Sequence, residues 1–177
     1  DRDIDKLDLN ACRNLVEWVV EEKCFQFVME LKMSGFACLE SVAIGSECFT
    51  KGMGVFEMSH CDRLKSVWIG KGSFVKWSGF VMKDCGVEEV EIGDCCFVNC
   101  EKVVLKELKK LNSLTIDWNT FLNVKDATFV NVPNLSQVSL GNAFSSVETV
   151  TMSNASLLEQ ESRNEVIIRD RKELYGA

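Results

Sequence analysis

The sequence predicts a repeat solenoid, mostly β, whose coils of about 24 residues each carry two short parallel strands. Three observations predict it. The phrase Leu39-Glu-Ser-Val42-Ala-Ile44-Gly45-Ser-Glu-Cys48-Phe49 returns from Leu64 to Phe74, from Val87 to Phe97, from Leu111 to Phe121 and, one residue shorter, from Leu135 to Phe144. The steps from Ile44 through Ile69, Ile92 and Ile116 to Leu140 are 25, 23, 24 and 24 residues. A second run, apolar-x-x-apolar-x-apolar, recurs between the phrases: Val28 to Met33, Met53 to Met58, Trp77 to Met82, Cys100 to Leu105, Val124 to Phe129 and Val147 to Met152. The last three residues of each run alternate in and out, which is strand spacing.

Three segments follow from this register. Residues 1–27 are expected to form an N-terminal helical cap. Leu9 to Glu22 reads as an amphipathic helix with Cys12, Leu15, Val16, Val19 and Val20 as its buried stripe and Asp8 or Asn10 as N-cap. Residues 28–158 form the solenoid. Within it, Ile44, Ile69, Ile92, Ile116 and Leu140 make one inward ladder, and Phe49, Phe74, Phe97, Phe121 and Phe144 a stacked aromatic spine. Gly45, Gly70, Gly93 and Gly141 mark the corner after the first strand, where a glycine suggests a positive φ. Met53, Met58, Met82, Met152 and Trp77 occupy inward columns. Pro133 follows a second strand, where a missing N–H does least harm. Residues 159–177 are a cap or tail, charged around Val166 to Ile168 and open to either a helix or a covering strand.

The composition narrows the partners. Of 177 residues, 46% are hydrophobic and 27% charged, as in a folded chain. The formal charge of −7 disfavours nucleic acid and anionic membrane surfaces, which reward clustered Lys and Arg. Lys102, Lys106, Lys109 and Lys110 form a small basic cluster without interleaved exposed aromatics, a poor nucleic-acid site. No apolar run approaches the roughly 20 residues that span a bilayer, so no membrane insertion is expected. With no starting Met and no signal-like segment at Asp1, the chain is compatible with a piece of a longer protein.

The nine cysteines resist a disulfide or zinc reading. Cys48 and Cys96 alternate with Ser73, Thr120 and Ala143. Cys61 and Cys85 share a column with Leu108, Val132 and Ala155, and Cys100 shares one with Val28, Met53, Trp77, Val124 and Val147. Exchange for small or apolar residues is the behaviour of a buried free thiol. It favours a reducing, intracellular compartment, with the cell surface as the alternative. The spacing of Cys95, Cys96 and Cys100 matches no recognised metal site, so neither metal nor cofactor is expected.

At this point the residues match a family. Met53-x-x-Phe56-x-Met58-x-x-Cys61 and Trp77-x-x-Phe80-x-Met82-x-x-Cys85-x-Val87 resemble the leucine-rich-repeat pattern, with Cys in place of the Asn ladder. Ile69-Gly-x-x-Ser-Phe74 resembles the BspA-like class of those repeats. The likeness spans Val28 to Leu158, but lacks the Ile-Pro step common in bacterial members. It implies a curved leucine-rich-repeat-like solenoid that binds proteins or glycans, and it implies no catalytic residues.

The residues left free by the repeat carry the functional expectation. Trp68 lies between inward Val67 and Ile69, so it points outward, and its column mates Ala43, Glu91, Thr115 and Ser139 are small or polar. An exposed Trp on a rigid face is a binding hot-spot candidate. Glu88, Glu89, Glu91 and Asp94 form an acidic patch beside Lys65, suited to a basic partner segment. The only histidine, His60, has no nucleophile or carboxylate motif near it, so no catalytic set is expected. The expected function is protein–protein recognition or scaffolding through one strand face. The rivals are a surface adhesin or receptor ectodomain binding glycan or host protein and, further off, a β-helix carbohydrate-active enzyme. The first strand set is the expected binding face; the second presents Lys32, Glu57, Val81, Val104, Thr128 and Thr151.

Overall fold

The chain winds as a parallel β-solenoid of about six coils, seen in a computed structural model that describes residues 5–158 and 174–175. Each phrase supplies one strand to a first sheet, and each second run supplies one to a second sheet. In chain order the strands are β1 (Glu17–Val20), β2 (Leu31–Ser34), β3 (Ser41–Ile44), β4 (Val55–Ser59), β5 (Ser66–Ile69), β6 (Gly79–Lys83) and β7 (Glu89–Ile92). They continue as β8 (Lys102–Lys106), β9 (Ser113–Ile116), β10 (Asp126–Val130), β11 (Gln137–Ser139), β12 (Thr149–Ser153) and β13 (Leu174–Tyr175). Odd strands from β1 to β11 form a six-stranded sheet; the even strands with β13 form a seven-stranded one. Neighbouring strands pair in parallel and in register, so Val42 lies beside Val67 and Phe56 beside Phe80. Among the described residues, β13 is the element that falls within 159–177; it extends the second sheet beside β12. The Val166 to Ile168 stretch lies outside the described residues.

The core fills the space between the sheets. Ile44, Ile69, Ile92, Ile116 and Leu140 are all buried, as are the facing Met33, Met58, Met82, Leu105, Phe129 and Met152. The phenylalanine spine is present and begins one coil earlier than expected, at Phe25. Successive rings from Phe25 to Phe144 lie 5.6, 4.6, 4.9, 5.3 and 5.8 Å apart, with planes within 26° of parallel. The Phe56–Phe80 stack from the second sheet meets this spine edge-on, Phe56 against Phe74 at 5.4 Å and Phe80 against Phe97 at 5.2 Å.

The expected N-terminal helix is not formed. A single 3-10 turn at Asn10–Cys12 precedes β1. Val16 and Val19, assigned to a buried stripe, are 49% and 67% exposed, while Trp18 and Val20 are buried. That is period-two burial. Leu15-Val-Glu-Trp18-Val-Val20-Glu-Glu-Lys-Cys24-Phe25 is a sixth copy of the phrase, and β1 pairs in register with β3. Trp18 in place of Val or Leu, and Glu21 in place of Gly, disguise it. The first coil is instead covered by irregular chain. Met29 N donates to Asp5 O at 2.9 Å, Arg13 donates to Ser34 O at 2.7 Å, and Leu7, Leu9 and Leu15 pack on the core.

Two further expectations change. Gly45, Gly70 and Gly93 do not adopt positive φ; of the corner glycines only Gly141 does. They are glycines because a Cβ would lie 2.7 to 3.0 Å from backbone nitrogen of the preceding coil. The left-handed conformation falls on the spine itself: Phe25, Phe49, Phe74, Phe97, Phe121 and Phe144 all have φ between 48° and 60°. A non-glycine residue there costs about 1–2 kcal/mol. Burial of each ring (about 1.5–3 kcal/mol) and its stacking (about 0.5–1.5 kcal/mol) offset that cost. The turn in turn aims each ring into the core.

Met53 is the second correction, for it is 64% exposed. The coil from Ile44 to Ile69 has one residue more than the average, and the inward place three residues after Phe49 belongs to Gly52. Trp77 of the next coil leans over that glycine. A Cβ on Gly52 would sit 2.9 Å from the indole nitrogen, which donates to Phe49 O at 2.9 Å. Met53 is the extra residue and is pushed outward.

The buried cysteine column is a hydrogen-bond ladder. Cys48 Sγ donates to Glu21 O at 3.0 Å, Ser73 Oγ to Gly45 O at 2.9 Å, Cys96 Sγ to Gly70 O at 3.2 Å and Thr120 Oγ1 to Gly93 O at 2.8 Å. Each reaches the corner carbonyl of the coil before, so any small donor serves. This explains why Cys, Ser and Thr interchange there. Burial pushes the thiols of Cys96 and Cys100 up to about 12, which leaves them protonated at neutral pH.

On the outer face of the second sheet, Glu57 sits between Lys32 at 3.4 Å and Lys83 at 3.2 Å. Burial raises its carboxyl pKa, but the two lysines outweigh it and hold the value below the ordinary one. A depressed carboxylate contributes stability that is full above its unfolded pKa and is lost as pH falls through the folded value. Glu57→Gln should therefore unfold at lower urea than wild type at pH 7, by no more than about 1 kcal/mol. The gap should close on acidification below the ordinary carboxylate range. Urea titrations of both chains across that range check it, and a gap that is constant with pH contradicts the ion-pair account.

Candidate functional site

Strands β5 and β7, with the residue ahead of each, bring together Trp68, Lys65, Glu88, Glu89 and Glu91. Parallel in-register pairing sets Trp68 beside Glu91 and Ser66 beside Glu89. One residue earlier, Glu88 N donates to Lys65 O at 2.8 Å, which sets those two side by side as well. Alternation does the rest. Val67, Ile69, Val90 and Ile92 point inward and are buried, so Trp68, Glu89 and Glu91 face solvent. Trp68 is 42% exposed.

Register also decides what surrounds the tryptophan. The row across the first sheet reads Val19, Ala43, Trp68, Glu91, Thr115, Ser139. The row ahead of the strands reads Val16, Glu40, Lys65, Glu88. The outer face thus carries apolar Val16, Val19 and Trp68 on its N-terminal side, is acidic at β7, and is uncharged beyond it through Thr115 and Ser139. Lys65 does not neutralise the acidic side. Its ammonium contacts Glu40 at 2.6 Å on the coil before. That pair lowers the Glu40 pKa and raises that of Lys65, so both stay charged. Glu88, Glu89 and Glu91 have no ion-pair partner within 4 Å among the described residues. Asp94 turns away at the corner, where Oδ1 accepts from Trp118 N at 3.1 Å.

Trp118 is a further exposed aromatic, 63% exposed at the corner after β9. A signal was present, because its column mates Ser46, Lys71, Asp94 and Asn142 are all polar. The basic cluster splits. Lys102 and Lys106 lie on β8 in the second sheet, whereas Lys109 pairs with Glu107 at 3.4 Å past its end. Among the described residues no group of three or more His, Cys, Asp or Glu could hold a metal ion. Among them too, no helix is long and apolar enough to cross a membrane.

Fold and face together define a parallel β-solenoid with one mixed apolar and acidic surface. Set against known proteins, no family model matches the sequence, and neither a curated protein nor a solved structure does.

Proposed function

We propose that the chain is a non-enzymatic protein-recognition module. It engages its partner through the outer face of the first sheet, around Trp68. The observation that carries this is the row Val19, Ala43, Trp68, Glu91. A large aromatic is held outward on a rigid strand, with apolar area on one side and carboxylates on the other. Trp, Tyr and Arg dominate the energetics of protein interfaces, and a fixed strand lowers the entropic cost of ordering such an anchor. The matching partner is a protein segment with an apolar side chain for Trp68 and Val19 and Lys or Arg for Glu88, Glu89 and Glu91. The resemblance to BspA-like leucine-rich repeats supports the same reading, since it implies a binding solenoid.

The test begins with crosslinking capture of the partner from the native source and measures its affinity by calorimetry. Trp68→Ala should weaken binding about 30-fold, or about 2 kcal/mol. The urea midpoint should stay unchanged, because the side chain faces solvent. Equal affinity of the variant and wild type ends the assignment to this face. Binding that is competed by free sugars instead supports a surface adhesin.

A further inference from the structure

The two buried thiols at the corner after the second sheet are adjacent members of one column. Ser59 pairs with Lys83 in register, and Gly86 N donates to Cys61 O at 3.0 Å, so Cys61 and Cys85 occupy the same place on successive coils. Strands so paired lie roughly 4.8 Å apart. That falls inside the roughly 4.4–6.8 Å Cα separation that a disulfide accepts. Both side chains are buried and set alike, Cys61 Sγ donating to Ser59 O at 3.4 Å and Cys85 Sγ to Lys83 O at 3.3 Å on successive coils. Cys85 also lines an open groove of about 350 Å³ with Asp62, Asp84, Glu107, Lys109 and Lys110, whereas Cys61 is fully buried behind it.

We propose that Cys61 and Cys85 are a cross-coil dithiol, a modification site that a hydroperoxide entering this groove converts to a disulfide. The pair ionises as a unit. Because the two thiols lie side by side, the first proton leaves the pair more readily than it leaves a lone buried thiol, and the second is held far more tightly. Peroxide meets the pair at the groove, where Cys85, as the thiolate that gives up the pair's first proton, attacks it. Its O–O bond breaks, one oxygen stays as the sulfenic acid and the other leaves as water. The sulfur of Cys61 then attacks that of Cys85. The S–S bond forms, the S–O bond breaks, and hydroxide leaves as water with the Cys61 proton. Two thiols lose two hydrogens, and one peroxide becomes two waters.

The other cysteines lack this combination. Cys24 and Cys48 also stack, with Phe49 N donating to Cys24 O at 3.2 Å, but the Cys48 thiol is tied to the coil before it through Glu21 O at 3.0 Å, whereas the shorter bonds of Cys61 and Cys85 stay within their own coils, to Ser59 O at 3.4 Å and Lys83 O at 3.3 Å. Cys96 and Cys100 have no cysteine in the matching place on either neighbouring coil.

The full chain is treated with limiting hydrogen peroxide at neutral pH, and its free thiols are mapped by differential alkylation and mass spectrometry. Cys61 and Cys85 should leave the thiol pool together, ahead of the buried Cys48, Cys96 and Cys100. They should appear as one crosslinked peptide lighter by two hydrogens, which dithiothreitol reverses. Oxidation should raise the urea midpoint of wild type. Cys61→Ala and Cys85→Ala should fold, since Ala155 occupies the same column, and should show neither the crosslink nor the shift. A Cys24–Cys48 crosslink forming first overturns the proposal, and so does Cys85 oxidised to a sulfinic acid beside a reduced Cys61.

Discussion

Phe74→Ala should lower the unfolding free energy by about 4 kcal/mol, within the 3–5 kcal/mol typical of large aromatic deletions. Phe74 is the central ring of the spine. It stacks on Phe49 at 4.6 Å and on Phe97 at 4.9 Å, and it meets Trp77 edge-on at 4.9 Å and Phe56 at 5.4 Å. The hole left by alanine is walled by other rings whose positions are set by strand pairing above and below, so collapse into it is limited. Alanine also keeps the left-handed cost at φ 56° without the stacking that offsets it. Phe144→Ala should cost less, because among the described residues its ring is stacked on one face, by Phe121 at 5.8 Å, with Phe129 edge-on at 5.7 Å. Urea titrations followed by both far-UV circular dichroism and tryptophan fluorescence check the pair. Equal losses at Phe74 and Phe144 would show that stacking on both faces is not the source of the effect.

Gly52→Ala should destabilise by about 3 kcal/mol, at the upper end of overpacking costs. The added methyl carbon would sit 2.0 Å from Val28 O and 2.9 Å from the Trp77 indole nitrogen. The first contact is backbone of the preceding coil, held in a turn by Val28 N donating to Phe25 O at 3.2 Å. The second would displace an indole that donates to Phe49 O. Trp77→Phe should not rescue the variant, since Val28 O remains in the way. Combining the two substitutions and measuring the urea midpoint decides this. Full rescue would assign the cost to the indole alone.

The repeat was legible because stacking parallel coils forces the same column to hold the same kind of side chain. The ladders of Ile and Phe, the inward Trp77 and the outward Trp68 all follow from counting columns. Counting failed where a side chain departed from its column for a packing reason. Leu9 to Glu22 reads as a helix in one dimension because Trp18 and Glu21 break the phrase and Cys12, Leu15, Val16, Val19 and Val20 fall at helical spacing as well. Met53 was placed inward because nothing in one dimension says that Trp77 fills the space above Gly52. The cysteine column was legible as small and buried, but not as a ladder of donors to corner carbonyls.

By itself the sequence determined the solenoid, its period, its inward columns and the outward place of Trp68. These are consequences of a repeating side-chain pattern, and a pattern is fully written in one dimension. Tertiary structure alone decided which atoms of neighbouring coils meet. It gave the left-handed turn to the spine phenylalanines and withheld it from the corner glycines Gly45, Gly70 and Gly93. It set Val19 and Ala43 beside Trp68 and put Cys61 against Cys85. Each of these depends on in-register contact between residues about one coil apart, a separation at which only the paired backbone fixes distance and direction.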